Sequence, residues 1–134
     1  MAIRVEKVTA ALLPTIAGWW TERNAGAMPE GILPPCGFVA LDDGGEPAAA
    51  GWAYFPAGCK VAFLDWFVTR PGLRAKVARR LLLQVAAMLE GAAIRAGRTY
   101  CFGATPFKGM AREATRAGYA IVEKSAIHLV KTLP

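Results

Sequence analysis

Apolar and charged residues alternate along the first part of the chain, from Ile3 to Val8, as they do in a half-buried β-strand. Thr9 can cap a helix, and apolar residues recur at helical spacing beyond it. The apolar positions of this predicted helix are Leu12, Leu13, Ile16, Trp19 and Trp20. Residues 24–35 hold three prolines and two glycines and predict a long loop, a kind of segment that is often functional in small domains.

The middle of the chain predicts a hairpin, a long strand and a long helix. Residues 37–41 and 48–55 form the hairpin strands around a turn at 42–46, and 60–69 is a further strand rich in β-branched and aromatic residues. A helix opens at Pro71-Gly72 and ends near Gly97. Its apolar face is predicted to hold Leu73, Val77, Leu81, Val85, Met88, Leu89 and Ala92.

The last third predicts a strand over 99–105, a helix over 107–117 closed by Gly118, and two strands over 119–124 and 126–132. The whole order is β-α-β-β-β-α-β-α-β-β. A chain of 134 residues is expected to form a single domain over 1–134.

Composition narrows the class of protein. Hydrophobic residues make up 54% of the chain and charged residues 19%, which excludes disorder, and no apolar run approaches the roughly 20 residues that span a bilayer. The N-terminus lacks the apolar centre of a signal peptide, so a soluble cytoplasmic protein is expected. Three cysteines without a C-x-x-C pair and a single histidine argue against disulfides and a metal site.

The net charge of +6 is concentrated in one segment. Residues 70–80 contain no acidic residue, and their cations are Arg70, Arg74, Lys76, Arg79 and Arg80. Cations near a helix N-terminus cost about 0.3–1 kcal/mol each, because they repel the positive end of the helix dipole. A bound anion reverses this effect, so the segment favours anion binding. The alternative is a solvated basic face whose side-chain stems cover apolar surface.

The element order and the stretch from Phe67 to Leu82 resemble the GCN5-related N-acetyltransferase superfamily. The core motif of that family runs Val-x-Pro-x-x-Arg-Gly-x-Gly-x-Gly/Ala-x-x-Leu-Leu after a strand. Ala117-Gly118-Tyr119 resembles the family's Leu-Gly-Phe. The resemblance implies an α+β fold of three layers, in which helices flank a mostly antiparallel twisted sheet. It also implies acetyl-CoA, or another acyl-CoA, as cofactor.

The resemblance further implies a cofactor site. The pantetheine arm would pair with the backbone of Trp66, Phe67 and Val68. The pyrophosphate-binding loop and helix would be formed by Arg74, Ala75, Lys76, Val77, Ala78, Arg79 and Arg80. Of these, Ala75, Val77 and Arg79 stand near the places of the motif glycines. The family's frequent general acid and central-strand glutamate fall near Ala114 and Ala62, so acid and base stay unassigned.

Four other residues are candidates for the reaction itself. Asp65 interrupts an apolar run, where a carboxylate is costly unless it faces a cleft, a partner or the sheet edge. Burial would raise its pKa and suit it to bind or deprotonate an amine; a structural aspartate is the alternative. Trp52 and Tyr54 share a strand face and either line a substrate pocket or belong to the core. Trp20, beside the 24–35 loop, is placed to wall a substrate cleft.

The leading hypothesis is an acyl-CoA-dependent N-acetyltransferase whose acceptor is a small-molecule or protein amine. A nucleobase amine is compatible with the positive charge. The alternative is a non-catalytic member of the fold that contacts nucleic acid or a partner protein through its basic helix end. The apolar excess is compatible with a homodimer.

Overall fold

The computed structural model describes residues 3–23, 26–105, 107–125, 129 and 131–134. The chain divides into two compact units, Met1–Ala104 and Thr105–Pro134. In neither does a described helix combine the length and the apolar character needed to cross a membrane.

The first unit is built on one five-stranded sheet in which the strands lie in chain order. Its strands are β1 (Arg4–Lys7), β2 (Cys36–Leu41), β3 (Pro47–Tyr54), β4 (Val61–Thr69) and β5 (Tyr100–Phe102). Strands β1 to β4 pair antiparallel, and β5 pairs parallel to β4. A parallel pair needs a long crossover connection, and the second helix supplies it.

Two helices cover the two faces of this sheet. Helix α1 (Leu13–Glu22) follows a short 3-10 turn at Ala10–Leu12, and Pro14 is tolerated because it lies in the first turn. Helix α2 (Ala75–Arg95) lies on the other face. On the α1 side, Ile16 and Trp19 pack against Val39, Leu41, Ala50, Trp52 and Val68. On the α2 side, Leu81, Val85 and Leu89 pack against Phe38, Ala40, Ala49, Ala53 and Leu64.

The strand pattern explains both cores. Successive side chains of a strand point to opposite faces, so Val39 reaches the α1 core while Phe38 and Ala40 reach the α2 core. The predicted class is confirmed: a mixed α+β fold with a mostly antiparallel sheet between helical layers.

The long helix begins later than predicted. Gly72 takes a φ of +88°, and Arg74 is extended, with φ −62° and ψ 140°, so regular helix starts at Ala75. Leu73 therefore precedes the helix. The central apolar positions Leu81, Val85 and Leu89 are buried as predicted, whereas Val77 and Met88 are exposed.

The second unit contains helix α3 (Lys108–Arg116), close to its predicted bounds. The strand predicted over 119–124 is wrong, since the described backbone there is irregular. Ile121 and Val122 are exposed. A strand needs a neighbour for its peptide groups, and alternating apolar residues alone do not supply one. Most of the strand predicted over 126–132 lies outside the described residues.

Candidate functional site

Strand β4 carries a bulge at its middle. Ala50 of β3 lies opposite Val68, and Trp52 lies opposite Asp65, so Gly51 faces two residues of β4, Trp66 and Phe67. An extra residue in one strand bends it and strengthens its twist, and bulges are over-represented beside active sites. The bulge divides β4 into a regular first half and a distorted second half.

Trp66 adopts the strained conformation at this bulge. Its φ of 60° makes it the one non-glycine residue with positive φ in the described part of the chain. The left-handed region costs a side-chain-bearing residue roughly 1–2 kcal/mol. Such a conformation persists only where its surroundings hold it, and it is a common feature of ligand sites.

Three side chains hold Trp66 in place. The Asp65 carboxylate accepts a hydrogen bond from the Trp66 backbone amide through Oδ1, at 2.7 Å. The indole Nε1 donates to the Tyr54 hydroxyl at 2.8 Å, and that hydroxyl donates to the Ile32 carbonyl. The Trp20 ring meets the Trp66 ring edge to face, with centroids 5.4 Å apart at 69°.

Gly51 makes room for the second residue of the bulge. A Cβ atom added at Gly51 would lie 2.6 Å from two carbon atoms of the Phe67 ring and 3.2 Å from Val85 Cγ1. The bulge therefore requires a residue without a side chain at this position of β3.

Among the described residues, the second half of β4 has an open edge on the side of β5. Strand β5 pairs with β4 over Val61–Phe63 only, and the chain after β5 passes near Leu64 at Gly103, where an added Cβ would lie 3.7 Å from the Leu64 carbonyl oxygen. In the described part of the chain, no strand pairs with the β5 side of β4 over residues 64–69. Peptide groups at an open edge can bind an extended ligand that carries amides of its own.

The distorted half of β4 leads into a basic helix N-terminus. Arg74 is the N-cap residue of α2, its side chain does not cap the helix, and the first turn contains no acidic residue. The Arg74, Lys76 and Arg80 side chains are exposed and that of Arg79 is half-buried. The ion pairs among described residues involve Arg4, Arg70 and Arg116, so these four cations have no acidic partner there. Free amides and unpaired cations together favour an anion.

Arg70, the fifth cation of the segment, is committed elsewhere. Its guanidinium pairs with Asp42 at 2.9 Å and donates to the Pro47 carbonyl at 3.0 Å. Another arginine, which the sequence analysis did not identify, contacts the end of β4. Arg23, just after α1, donates to the Thr69 carbonyl at 3.2 and 3.1 Å and to the Thr69 hydroxyl at 2.6 Å.

The four residues predicted to take part in the reaction differ in how deeply they are buried. Asp65 is exposed on β4. Trp52, with 2% of its surface exposed, belongs to the α1-side core. Tyr54 and Trp20 are half-buried beside the bulge. The indole nitrogen of Trp20 is buried and has no hydrogen-bond partner within the described residues.

One signal in the sequence pointed to the bulge. A glycine inside a strand often marks a bulge or a close approach, and Gly51 lies opposite the bulge and against the Phe67 ring. Nothing in the sequence pointed to Arg23, because its partner lies 46 residues away.

Comparison with known proteins finds the fold among solved structures. Neither the family models nor the curated proteins contain a match. The aminoglycoside N-acetyltransferase AAC(6')-Iy, in complex with a coenzyme A bisubstrate analogue, aligns with a TM-score of 0.67 at 16% identity, over 98% of this chain and 100% of its own. A transcriptional regulator from Bacillus halodurans aligns with a TM-score of 0.68 at 13% identity, over 96% of this chain and 100% of its own.

A third similar structure is only partly covered. The N-acetylglutamate synthase of Neisseria gonorrhoeae, complexed with coenzyme A and N-acetyl-glutamate, aligns with a TM-score of 0.61 at 14% identity. The match covers 87% of this chain and 28% of that enzyme. These alignments show that this chain has the fold of the GCN5-related N-acetyltransferase superfamily.

Proposed function

We propose that this chain is an acyl-CoA-dependent N-acetyltransferase whose acceptor is a small-molecule amine. One observation carries the proposal: the open, bulged half of β4 runs directly into an uncapped helix N-terminus with four unpaired cations among the described residues. Amide-pairing backbone beside an anion site matches the chemistry of coenzyme A, whose pantetheine arm carries amides and whose nucleotide carries phosphates.

The residues at the start of α2 fit a diphosphate. The first amides of a helix lack intrahelical partners and carry its positive dipole end, so in our proposal the amides of Ala75, Lys76 and Val77 would bind the phosphates although these residues stand near the places of the motif glycines. Gly72, with φ +88°, allows the turn that brings the chain from β4 into the helix. Arg74 and Arg79 would add charge-assisted hydrogen bonds to the phosphates.

The bulge supplies the second part of the site. Acetyl-CoA, when bound, supplies an acyl group activated as a thioester. In our proposal, Trp66, Phe67 and Val68 pair their backbone with the pantetheine arm, and amides near Phe67 and Val68 stabilise the negative charge that develops on the thioester oxygen. Preorganised backbone donors act in this way in acyl-transfer enzymes.

Asp65 and the aromatic residues around the bulge would serve the acceptor. An amine must be deprotonated before it attacks, and a carboxylate can bind its ammonium form or take the proton through water. Oδ1 of Asp65 is engaged by the Trp66 amide, which leaves Oδ2 for this role. Trp20 and Tyr54 would form the adjacent wall, while Trp52, buried in the core, is left out of the proposed site. Acceptors of the small size seen in the acetylneamine complex of AAC(6')-Iy suit such an arrangement.

The test is calorimetry with acetyl-CoA, and separately with a short DNA duplex, at about 150 mM salt. We expect acetyl-CoA to bind, and the double variant Arg74→Ala/Arg79→Ala to weaken that binding at least about tenfold, or 1.4 kcal/mol. Lys60→Ala/Arg95→Ala is the matched control, because it also removes two positive charges, at the opposite end of α2. Arg95 is the last residue of α2, and the Lys60 carbonyl accepts a hydrogen bond from the Thr99 amide just beyond it. The control should bind acetyl-CoA as the wild type does.

Two outcomes contradict the proposal. One is the absence of acetyl-CoA binding by the wild-type chain. The other is an equal loss of affinity in both double variants, which would indicate a general effect of net charge. Binding of DNA in place of acetyl-CoA would favour the alternative of a non-catalytic domain that contacts nucleic acid through its basic helix end.

A further inference from the structure

The Tyr54 hydroxyl joins two parts of the first unit at a single atom. It accepts a hydrogen bond from Trp66 Nε1 at 2.8 Å and donates one to the Ile32 carbonyl. A tyrosine hydroxyl has one proton to donate and lone pairs to accept, so both of these roles are filled at once. Tyr54 thereby connects the bulge of β4 to the loop that follows α1.

Trp66 depends on such contacts more than an ordinary strand residue. Its left-handed backbone is unfavourable for a residue with a side chain, so the surroundings must hold it. Asp65 fixes its amide and Trp20 meets its ring, but the hydrogen bond from the indole Nε1 goes to Tyr54. Tyr54 provides that contact from β3, opposite Phe63, where β4 is regular and paired on both sides.

We propose that Tyr54 is a positioning residue for acyl transfer, which holds Trp66 so that the backbone amides of the bulge stay directed at the thioester oxygen. This inference rests on the function proposed above. In this proposal Tyr54 itself contacts neither the acyl group nor the phosphates, because within the described residues its hydroxyl bonds join Trp66 and Ile32 and do not reach the turn before α2.

If this is so, the contribution of the acetyl group to cofactor affinity can be lost while the contribution of the nucleotide part is kept. If the hydroxyl is removed, Trp66 Nε1 loses its acceptor and the bulge is free to relax, so the acetyl group loses its oriented donor. The start of α2 is unchanged, so the nucleotide part of the cofactor should bind as before. A residue with a merely structural role would weaken both parts together.

The experiment compares the Kd of acetyl-CoA with the Kd of CoA, by calorimetry, in wild type and in Tyr54→Phe. We expect the wild type to bind acetyl-CoA about 3- to 10-fold more tightly than CoA, the range of one well-aligned hydrogen bond. In Tyr54→Phe this ratio should fall to about one while the Kd of CoA changes less than about twofold. Tyr100→Phe is the matched control, since the exposed Tyr100 hydroxyl makes no hydrogen bond within the described residues, and its ratio should equal that of the wild type.

Several results would overturn the inference. They are a wild-type ratio of one, an unchanged ratio in Tyr54→Phe, and a parallel loss of CoA and acetyl-CoA affinity. If Tyr54→Phe does not fold, Trp66→Phe removes the donor of the same hydrogen bond and must lower the ratio in the same way. Failure of the wild type to bind CoA at all would instead refute the proposed function, so the two failures are distinguishable.

Discussion

Along β4, residues Val61–Phe63 have a strand on each side, whereas Trp66–Thr69 have only β3 beside them in the described part of the chain. The first stretch follows the regular strand pattern. The second contains a bulge, a left-handed residue and an open edge. Both belong to one strand of nine residues, so the difference arises from what surrounds them.

The surroundings differ in kind. Strands on both sides order the first stretch. The second keeps a ladder with β3 alone, at Val68 and Thr69, and depends in addition on side chains from elsewhere: Trp20 and Tyr54 hold Trp66, and Arg23 holds Thr69. A backbone ladder tolerates most single substitutions, because every residue contributes the same peptide group. A segment held by side chains can be disturbed by changing one of them. The distorted stretch therefore combines ligand-accessible backbone with dependence on a few residues.

The largest effect is expected from filling the space that the bulge needs. In Gly51→Val, the new side chain meets the Phe67 ring and Val85, where even a Cβ would approach within 2.6 Å. Overpacking of this kind costs about 2–3 kcal/mol, and the ring must leave its place, so the bulge changes shape. Chemical denaturation should show the loss in the free energy of unfolding.

Gly18→Ala is the control for this variant. Gly18 lies within α1 with nothing within 4 Å of its added Cβ, so the substitution should stabilise the protein by about 0.5–1 kcal/mol. A Gly51→Val protein as stable as the wild type would mean that the Phe67 ring can leave its place at little cost. The bulge would then not depend on this glycine.

A smaller loss is expected where the regular half of β4 begins. The Arg98 guanidinium donates to the carbonyls of Phe55, Pro56, Cys59 and Val61 and lies over the Phe55 ring. Arg98→Ala leaves these carbonyls without that donor, which we expect to cost about 1–2 kcal/mol of unfolding free energy, given partial exposure to water. Because this clamp lies away from the bulge, the ratio of CoA to acetyl-CoA dissociation constants should not change.

Arg116→Ala provides the matched arginine control. Its ion pair with Glu113 is exposed, and surface pairs of this kind contribute about 0–1 kcal/mol. A change in the cofactor ratio of Arg98→Ala would show that the two halves of β4 are coupled, and the contrast between them would fail.

The sequence predicted the elements better than their irregularities. The buried face of α2 at Leu81, Val85 and Leu89 follows from helical spacing, and spacing is a local property that one window of residues contains. The bulge left one local signal, Gly51. The contacts that hold it join residues far apart in the chain: 46 residues separate Arg23 from Thr69, and 22 separate Ile32 from Tyr54. No local pattern contains such pairs.

The same reasoning explains the errors. The alternation over 119–124 satisfies the strand pattern, but a strand also needs a partner, and a partner is a property of the fold. For Asp65, the apolar sequence neighbours left open whether the carboxylate is buried or faces a cleft, a partner or the sheet edge. Its neighbours in space leave it exposed on β4, and the Trp66 amide is its hydrogen-bond donor.

The smallest effect concerns the residue that anchors the chain just after β4. Asp42 accepts hydrogen bonds from the Glu46 and Gly44 amides and pairs with Arg70. The pKa of Asp42 is lowered first by the hydrogen bond from the Glu46 backbone amide and then by the hydrogen bond from the Arg70 guanidinium.

A carboxyl whose pKa is lower in the folded state stabilises the protein above its unfolded pKa of about 3.9, and this contribution is lost as the pH falls through the folded value. Asp42→Asn should therefore melt below the wild type at pH 7, and the difference should shrink as the pH falls through the folded pKa of Asp42. Asp43→Asn, which makes the same change at an exposed neighbour, should melt close to the wild type throughout.

A melting difference for Asp42→Asn that persists unchanged in acid would show that the side-chain amide disturbs the turn by its shape. The charge of Asp42 would then contribute nothing to the junction between β4 and the basic turn.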